Sequence, residues 1–193
     1  MNIIDLFPIP LAIIKNPNND LHKKALISEC NQLKQKISNG STELGSRAYS
    51  TEANYNILKN KKFKGINDWV YKNIKEYANQ IGFENKKVNS EWGWFNFYGK
   101  NGYIEAHDHE FYDISAVYYL STPKDTGKIV FYTHEAKGVK NYFSPKNNYT
   151  WKTFYVEPED GMLVIFKANL MHGVTQNKTN KTRVSFAYNY KIT

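Results

Sequence analysis

The sequence predicts a mainly β protein that has α-helices in its N-terminal half and a β-sandwich or barrel in its C-terminal half. Two observations favour this fold class. Apolar residues recur at helical spacing before about residue 90, and short aromatic and β-branched segments, separated by Gly, Asn, Pro and Asp, follow from about Trp92. The 193 residues contain no long Pro/Gly/Ser-rich linker, so we expect a single domain over residues 1–193.

Two amphipathic helices are predicted in the N-terminal half. The first has Asn18 or Asn19 as its cap and ends at Asn39-Gly40. The second ends at Gly82, at a position that favours a left-handed backbone conformation. Each helix is expected to pack on a sheet through its apolar face, formed by Leu21, Ala25, Cys30, Leu33 and Ile37 in the first helix and by Phe63, Ile66, Val70, Ile74, Tyr77 and Ile81 in the second.

Seven strands are predicted in the C-terminal half, where the chain is rich in aromatic and β-branched residues. They are Trp92 to Tyr98, Tyr103 to His107, Ile114 to Leu120, Lys128 to Tyr132, Lys152 to Val156, Met162 to Phe166 and Arg183 to Tyr190. The stretch from Thr133 to Thr150 is rich in Tyr, Asn and Lys, and we expect a long loop there that could serve as a lid.

The net charge of +8 does not by itself indicate a nucleic-acid-binding protein. The 26 basic residues are scattered along the chain, and only two of them, Arg47 and Arg183, are arginines. The single cysteine, Cys30, cannot form an internal disulfide, and the apolar N-terminus lacks a basic leader. The apolar runs are also too short to span a membrane. We therefore expect a cytoplasmic protein that binds neither nucleic acid nor membranes.

Three of the five histidines have a spacing that indicates a metal site. His107 and His109 lie in the segment IEAHDHE, and residues two apart in a strand point to the same face. His172, in the segment NLMHGV, can complete the site from a distant part of the barrel. The alternative interpretation is that these histidines are ordinary polar residues at the edge of a loop.

Arg183 is a candidate anion-binding residue, because a guanidinium can hold a carboxylate through two parallel hydrogen bonds. It begins the segment RVSFAYNY, in which Ser185 shares its face and offers a hydroxyl group. Asn96 and Tyr98 share one face of the strand before the histidine pair and also suit a small polar ligand. The alternative for Arg183 is a surface ion pair.

The order of these motifs resembles that of the 2-oxoglutarate and Fe(II)-dependent dioxygenase superfamily. From about Trp92 to Tyr190 the chain contains N-x-Y, the histidine pair, YYLS, GMLVIF, MHGV and R-x-S. The segment FPIPL and the two helices are similar to the N-terminal part of a microbial and viral branch. The resemblance implies a double-stranded β-helix, a jelly-roll or cupin-like barrel, at 91–193. It also implies a helical support region at 1–90 that packs on one sheet.

Fe(II) as the metal and 2-oxoglutarate as the cosubstrate are further implications of this resemblance. The resemblance assigns the iron ligands, and with them the catalytic centre, to the three histidines. The residues that would bind 2-oxoglutarate are Arg183, Ser185, Tyr98 and Asn96.

One departure from the superfamily concerns the second iron ligand. Most members have His-x-Asp or His-x-Glu, whereas this chain has His109 where the acid is expected. Either His109 replaces the acid, or another carboxylate, Glu105 or Asp113, turns inward. We favour His109, because the two-residue period of a strand places it next to His107 without rearrangement.

The implied reaction is the oxidation of 2-oxoglutarate to succinate and CO2 by O2, coupled to hydroxylation of a protein side chain or a small metabolite. Two alternatives stay open from the sequence. One is a cupin-like metal enzyme that uses the same histidines without 2-oxoglutarate, and the other is a degenerate, non-catalytic barrel that binds a partner. A homodimer is compatible with the sequence, and the natural substrate is not specified by it.

Overall fold

The computed structural model describes residues 1–2, 8–41, 46–133 and 152–193. The predicted loop from Thr133 to Thr150 lies, except for Thr133 itself, outside the described residues. No helix in the described ranges is long and apolar enough to cross a membrane.

Two antiparallel sheets and two helices make up the fold. The helices are α1 (Asn19–Lys34) and α2 (Lys64–Gln80), and two short 3-10 turns, Ile57–Lys59 and Lys61–Phe63, precede α2. The strands are β1 (Leu11–Lys15), β2 (Tyr49–Ser50), β3 (Val88–Tyr98), β4 (Ile104–His107), β5 (Ile114–Ser121), β6 (Ile129–Tyr132), β7 (Thr153–Val156), β8 (Met162–Lys167), β9 (His172–Val174) and β10 (Arg183–Ile192).

The large sheet has the strand order β1-β8-β5-β10-β3-β2, and the small sheet has the order β4-β9-β6-β7. One pocket is lined by residues of β3, β5 and β10 from the large sheet and of β4, β6 and β9 from the small sheet, so the two sheets face each other. This arrangement, with the helices packed on the large sheet, confirms the predicted double-stranded β-helix.

Strict alternation along the central strands gives the large sheet two different buried faces. One face is apolar and packs with α1 and α2 in a single core; its members include Phe95, Tyr118, Phe186 and Tyr188. The opposite face carries the polar residues of the same strands and looks into the pocket. In β10, every second residue from Arg183 to Asn189 therefore lines the pocket.

Helix α2 follows its prediction closely. Ile66, Val70, Ile74 and Tyr77 are buried on one face, as their spacing predicts. Gly82 comes just after the helix and has a φ of +97°, which a glycine adopts without steric cost.

Helix α1 differs from its prediction at both ends of its apolar face. Leu21 is 76% exposed, while Leu26 and Cys30 are buried. The helix ends at Lys34, before the predicted end at Asn39-Gly40. Of the two expected cap residues, Asn18 lies at the N-cap position but its side chain makes no capping hydrogen bond, and Asn19 is the first residue of the helix. The face of α1 is therefore set by where the sheet lies rather than by the apolar spacing alone.

Three strands were not predicted: β1, β2 and β9. β1 pairs with β8 over Leu11–Lys15, so the N-terminal region contributes an edge strand as well as helices. β2 and β9 are two and three residues long. Such short segments carry no periodic signal of their own, and their pairing depends on the neighbouring strands.

Candidate metal and anion site

Two of the three candidate histidines lie opposite each other on paired strands. His107 at the end of β4 pairs with His172 at the start of β9, and their ring centroids are 4.4 Å apart. Nδ1 of His107 lies 2.8 Å from the Glu105 carbonyl oxygen, and Nδ1 of His172 lies 2.8 Å from that of Leu170. A carbonyl only accepts hydrogen bonds, so each Nδ1–H donates a hydrogen bond, and Nε2 is the ring nitrogen whose lone pair is available to a metal.

His109 reaches the same point from outside a strand. β4 ends at His107, and the backbone N–H of His109 donates to the Ala168 carbonyl at 2.8 Å. Its ring lies 5.0 Å from that of His107 and 5.3 Å from that of His172, with Trp94 at its edge. The predicted convergence is therefore present, but a loop anchored on Ala168 produces it rather than the two-residue period of a strand.

The three imidazoles can donate lone pairs to one ion. Their ligand atoms all lie within 4.8 Å of one another. Burial, together with nearby His107, lowers the pKa of His109 to about 4, and burial also holds the pKa of His172 well below its usual value. Both rings are therefore neutral at neutral pH, the state in which imidazole binds Fe, Zn, Cu or Ni.

The alternative carboxylates do not join this cluster. Glu105 and Asp113 are both exposed, and neither belongs to the group of ligand atoms that converges in the described part of the chain. A carboxylate oxygen of Asp113 accepts a hydrogen bond from the backbone N–H of Ile192 at 2.7 Å. The geometry thus favours His109 over either acid as the metal ligand that accompanies His107 and His172.

Arg183 is more deeply buried than any other arginine, lysine, aspartate or glutamate in the described part of the chain. It is 1% exposed, whereas the other arginine, Arg47, lies on the surface. Its guanidinium stacks on the Tyr98 ring at 4.0 Å, and its Nη1 donates to the Gly127 carbonyl oxygen at 2.8 Å. Nε of Arg183 is buried and has no hydrogen-bond partner among the described residues. A buried cation with an unused donor suits an anionic ligand.

The other predicted anion-binding residues lie beside Arg183. Arg183 pairs with Tyr98 and Ser185 with Asn96 across β10 and β3, and all four side chains line the pocket. Burial raises the pKa of Tyr98 to about 12, although the Arg183 cation acts in the opposite direction. The Tyr98 phenol is therefore protonated at neutral pH and can donate a hydrogen bond.

One cavity contains both groups of residues. It has an empty volume of about 570 Å³, part of it open to solvent, and its walls include the three histidines, Arg183 and the three polar residues beside Arg183. Its lining also includes residues that the sequence did not single out, among them Trp94, Glu52 and the hydrogen-bonded pair Ser115 and Asn189. Trp94 shares the period-two face of Asn96 and Tyr98 and could have been predicted, whereas nothing in the sequence marks Glu52.

Comparison with solved structures shows the same fold. A prolyl-4-hydroxylase from Pseudomonas putida is 20% identical, with a TM-score of 0.66 over 94% of this chain and 91% of that chain. A prolyl hydroxylase from Trichoplax adhaerens, solved with a hypoxia-inducible-factor peptide fragment, is 14% identical, with a TM-score of 0.68 over 94% and 83%. The epimerase SnoN, solved with Fe3+, α-ketoglutarate and nogalamycin RO, is 11% identical, with a TM-score of 0.69 over 94% and 78%.

Sequence comparison gives the family directly. No curated protein sequence matches the chain. The family model described as "Putative 2OG-Fe(II) oxygenase" matches residues 93–189, which is half of the chain and contains the three histidines and Arg183. The protein therefore belongs to the 2OG-Fe(II) oxygenases, the oxidoreductases that use iron and 2-oxoglutarate.

Proposed function

We propose that this protein is an Fe(II)- and 2-oxoglutarate-dependent hydroxylase that acts on a protein side chain or a small metabolite. Its iron ligands are His107, His109 and His172. The observation that carries the proposal is the convergence of these three imidazoles in the same cavity as the buried Arg183 guanidinium. The prolyl hydroxylases among the structural neighbours, one of them bound to a peptide, support hydroxylation and a protein substrate.

The residues present fit both groups. Three imidazoles form a nitrogen donor set that suits iron and leaves coordination positions open for other ligands. The unpartnered, buried Nε of Arg183 fits the far carboxylate of 2-oxoglutarate, and Ser185, Tyr98 and Asn96 add polar groups beside it. When bound, the iron and 2-oxoglutarate would supply the oxidising chemistry together with O2, which is the oxidant, and the cosubstrate would leave as succinate and CO2.

The chain contributes positioning and the exclusion of water. The carbonyl groups of Glu105 and Leu170 fix the orientation of two imidazole rings, a role that second-sphere groups commonly play at metal sites. Tyr98 holds the plane of the Arg183 guanidinium by stacking on it. Phe131 and Phe166 cover the His172 ring with apolar surface. The cosubstrate would thereby meet polar groups that are already oriented, beside apolar side chains that exclude water from the His172 ring.

The proposal is tested by anaerobic addition of Fe(II) and then 2-oxoglutarate. We expect a visible metal-to-ligand charge-transfer band in the intact protein and, after admission of O2, succinate and CO2. Arg183→Ala should lose the band at 2-oxoglutarate concentrations that saturate the intact protein. Arg47→Ala, which removes the only other arginine, should keep it.

Other outcomes would favour the alternatives. Stoichiometric metal without the band or succinate would support a cupin-like enzyme that does not use 2-oxoglutarate. Absence of metal binding in the intact protein, with His172→Ala behaving identically, would support a non-catalytic barrel.

A further inference from the structure

The turn between β5 and β6 contains Gly127, whose carbonyl oxygen accepts a hydrogen bond from the Arg183 side chain. We propose that Gly127, in this turn, is a positioning residue for 2-oxoglutarate: its carbonyl oxygen fixes Nη1 of Arg183 so that the Nε edge faces the cosubstrate carboxylate. This inference rests on the proposed role of Arg183. It adds a residue that does not itself touch the cosubstrate and that acts only through the guanidinium.

The contacts of Arg183 define which of its edges is free to bind. A guanidinium can grip a carboxylate either through its two terminal nitrogens or through Nε and Nη2. One of the two N–H groups of Nη1 is already used, because it donates to the Gly127 carbonyl at 2.8 Å. The Tyr98 ring covers one face at 4.0 Å, and Nε has no partner among the described residues. The unpartnered Nε therefore favours the Nε and Nη2 edge as the one that meets the cosubstrate.

Only glycine fits at position 127. Its φ of +94° lies in the left-handed region that residues with a side chain rarely adopt. A Cβ built there would also lie far inside van der Waals contact of the Thr175 carbonyl oxygen. The turn cannot yield easily, because the Lys128 N–H donates to Thr175 Oγ1 at 2.8 Å and the Thr175 N–H donates to the Lys128 carbonyl at 2.9 Å.

A side chain at position 127 must therefore displace the carbonyl that holds Arg183. The guanidinium would lose its fixed hydrogen bond and could turn its Nε edge away from the carboxylate. The histidines lie on β4, β9 and the loop after β4, so the metal-binding groups are not part of this turn. The effect should be confined to ligands that carry the second carboxylate.

The test uses calorimetric titration of the nickel-loaded 193-residue chain, in which nickel replaces iron and prevents turnover. Gly127→Ala should raise the Kd for 2-oxoglutarate about 10-fold, the loss expected for one hydrogen bond to a charged group. The Kd for 2-oxobutanoate, which keeps the 2-oxo acid group but lacks the second carboxylate, should change less than about twofold, because that ligand does not engage Arg183. In an Arg183→Ala background, Gly127→Ala should have no further effect on either ligand.

Gly161→Ala is the matched control for backbone strain. Gly161 has a φ of +77° and is crowded by the Asn16 carbonyl oxygen and Asn19 Cβ, but it does not line the pocket. Its substitution should leave the Kd for 2-oxoglutarate unchanged. If Gly127→Ala does not fold, Thr175→Val replaces it, since this variant keeps Gly127 and removes only the hydroxyl that anchors Lys128. It should raise the Kd for 2-oxoglutarate by a smaller factor.

Two results would overturn the inference. The first is an unchanged Kd for 2-oxoglutarate in Gly127→Ala, or in Thr175→Val if Gly127→Ala does not fold. The second is an equal loss of affinity for 2-oxoglutarate and 2-oxobutanoate. Failure of the proposed function looks different. In that case Arg183→Ala itself would leave the Kd for 2-oxoglutarate unchanged.

Discussion

At the scale of single residues, His109 sets the electrostatics of the proposed iron site. An imidazole is neutral where a carboxylate would carry a negative charge, so an ion bound here keeps more of its positive charge. Trp94 packs at the edge of the His109 ring, and the Ala168 carbonyl holds its backbone. The position of this ring is therefore fixed by two neighbours before any metal arrives.

His109→Asp is expected to retain metal binding, because a carboxylate oxygen is the group that most of the superfamily places at this position. His109→Ala should weaken metal affinity at least about 100-fold, since loss of a second-sphere partner alone costs 10- to 100-fold at metal sites. Metal content after dialysis against a defined Fe(II) or Ni(II) concentration measures both effects. Glu105→Gln, which changes an exposed carboxylate two residues before His107, serves as the control and should bind metal normally.

If Glu105→Gln or Asp113→Asn lost the metal while His109→Ala kept it, the assignment of His109 would be wrong.

The candidate site could be predicted from residue types and spacing to a large extent. The spacing of His107, His109 and His172 predicts a shared metal site, and the ability of a guanidinium to hold a carboxylate makes Arg183 a candidate anion-binding residue. The backbone contacts that hold these side chains in place could not be predicted from the sequence. The Ala168 carbonyl that anchors His109 and the Gly127 carbonyl that anchors Arg183 are backbone groups, which leave no mark in a sequence.

At the scale of elements, the two helices show that the position of the sheet decides which helix face is buried. Ile74 in α2 is fully buried against the large sheet, whereas Leu21 in α1 is 76% exposed although its spacing predicted burial. The hydrophobic contribution to stability follows the area removed from water and not the residue type.

Ile74→Ala should lower the free energy of unfolding by about 2–5 kcal/mol, the usual effect of truncating a buried isoleucine. Leu21→Ala should change it by less than about 0.5 kcal/mol, as expected at an exposed site. Equilibrium unfolding in urea gives both values. A large loss of stability for Leu21→Ala would show that α1 buries that side chain against a surface outside the described residues.

The longest and the shortest strands differ in how far the sequence predicts them. β3, β5 and β10 contain eight or more residues, many of them aromatic or β-branched, and most of their residues are buried. β9 has three residues and gains its strand conformation by lying between β4 and β6. Local pattern also predicts the four-residue strands β4, β6 and β7 but not the five-residue β1, so length alone does not decide. The two shortest strands, β2 and β9, depend on tertiary pairing.

At the scale of the whole molecule, Cys30 can report whether the helical region and the barrel unfold together. It is the only cysteine of the chain, it is 0% exposed, and it packs in the core shared by the helices and the large sheet. Burial also raises the pKa of its thiol well above the usual value. Reaction with a thiol reagent therefore requires opening of this core.

We expect nickel and 2-oxoglutarate together to slow the labelling of Cys30, although the cysteine belongs to the core on the other face of the large sheet. If residues 1–193 open as one cooperative unit, ligand at 100 times its Kd should slow labelling about 100-fold, provided that closing is faster than labelling. Labelling in the presence and absence of ligand, followed spectrophotometrically, measures the ratio. A labelling rate independent of ligand would show that α1 opens without the barrel.

The pairing of His107 with His172 across β4 and β9 has a mechanical consequence. β4 is a four-residue strand at the rim of the small sheet, and its register with β9 is interrupted between Ile104 and His107. An ion bound by both rings would cross-link β4 to β9. Its coordination bonds would stabilise a strand pair that has few backbone hydrogen bonds. Removal of the metal would then make the pairing of β4 with β9 less stable. A bound iron would therefore contribute to the rigidity of the cavity as well as to its chemistry.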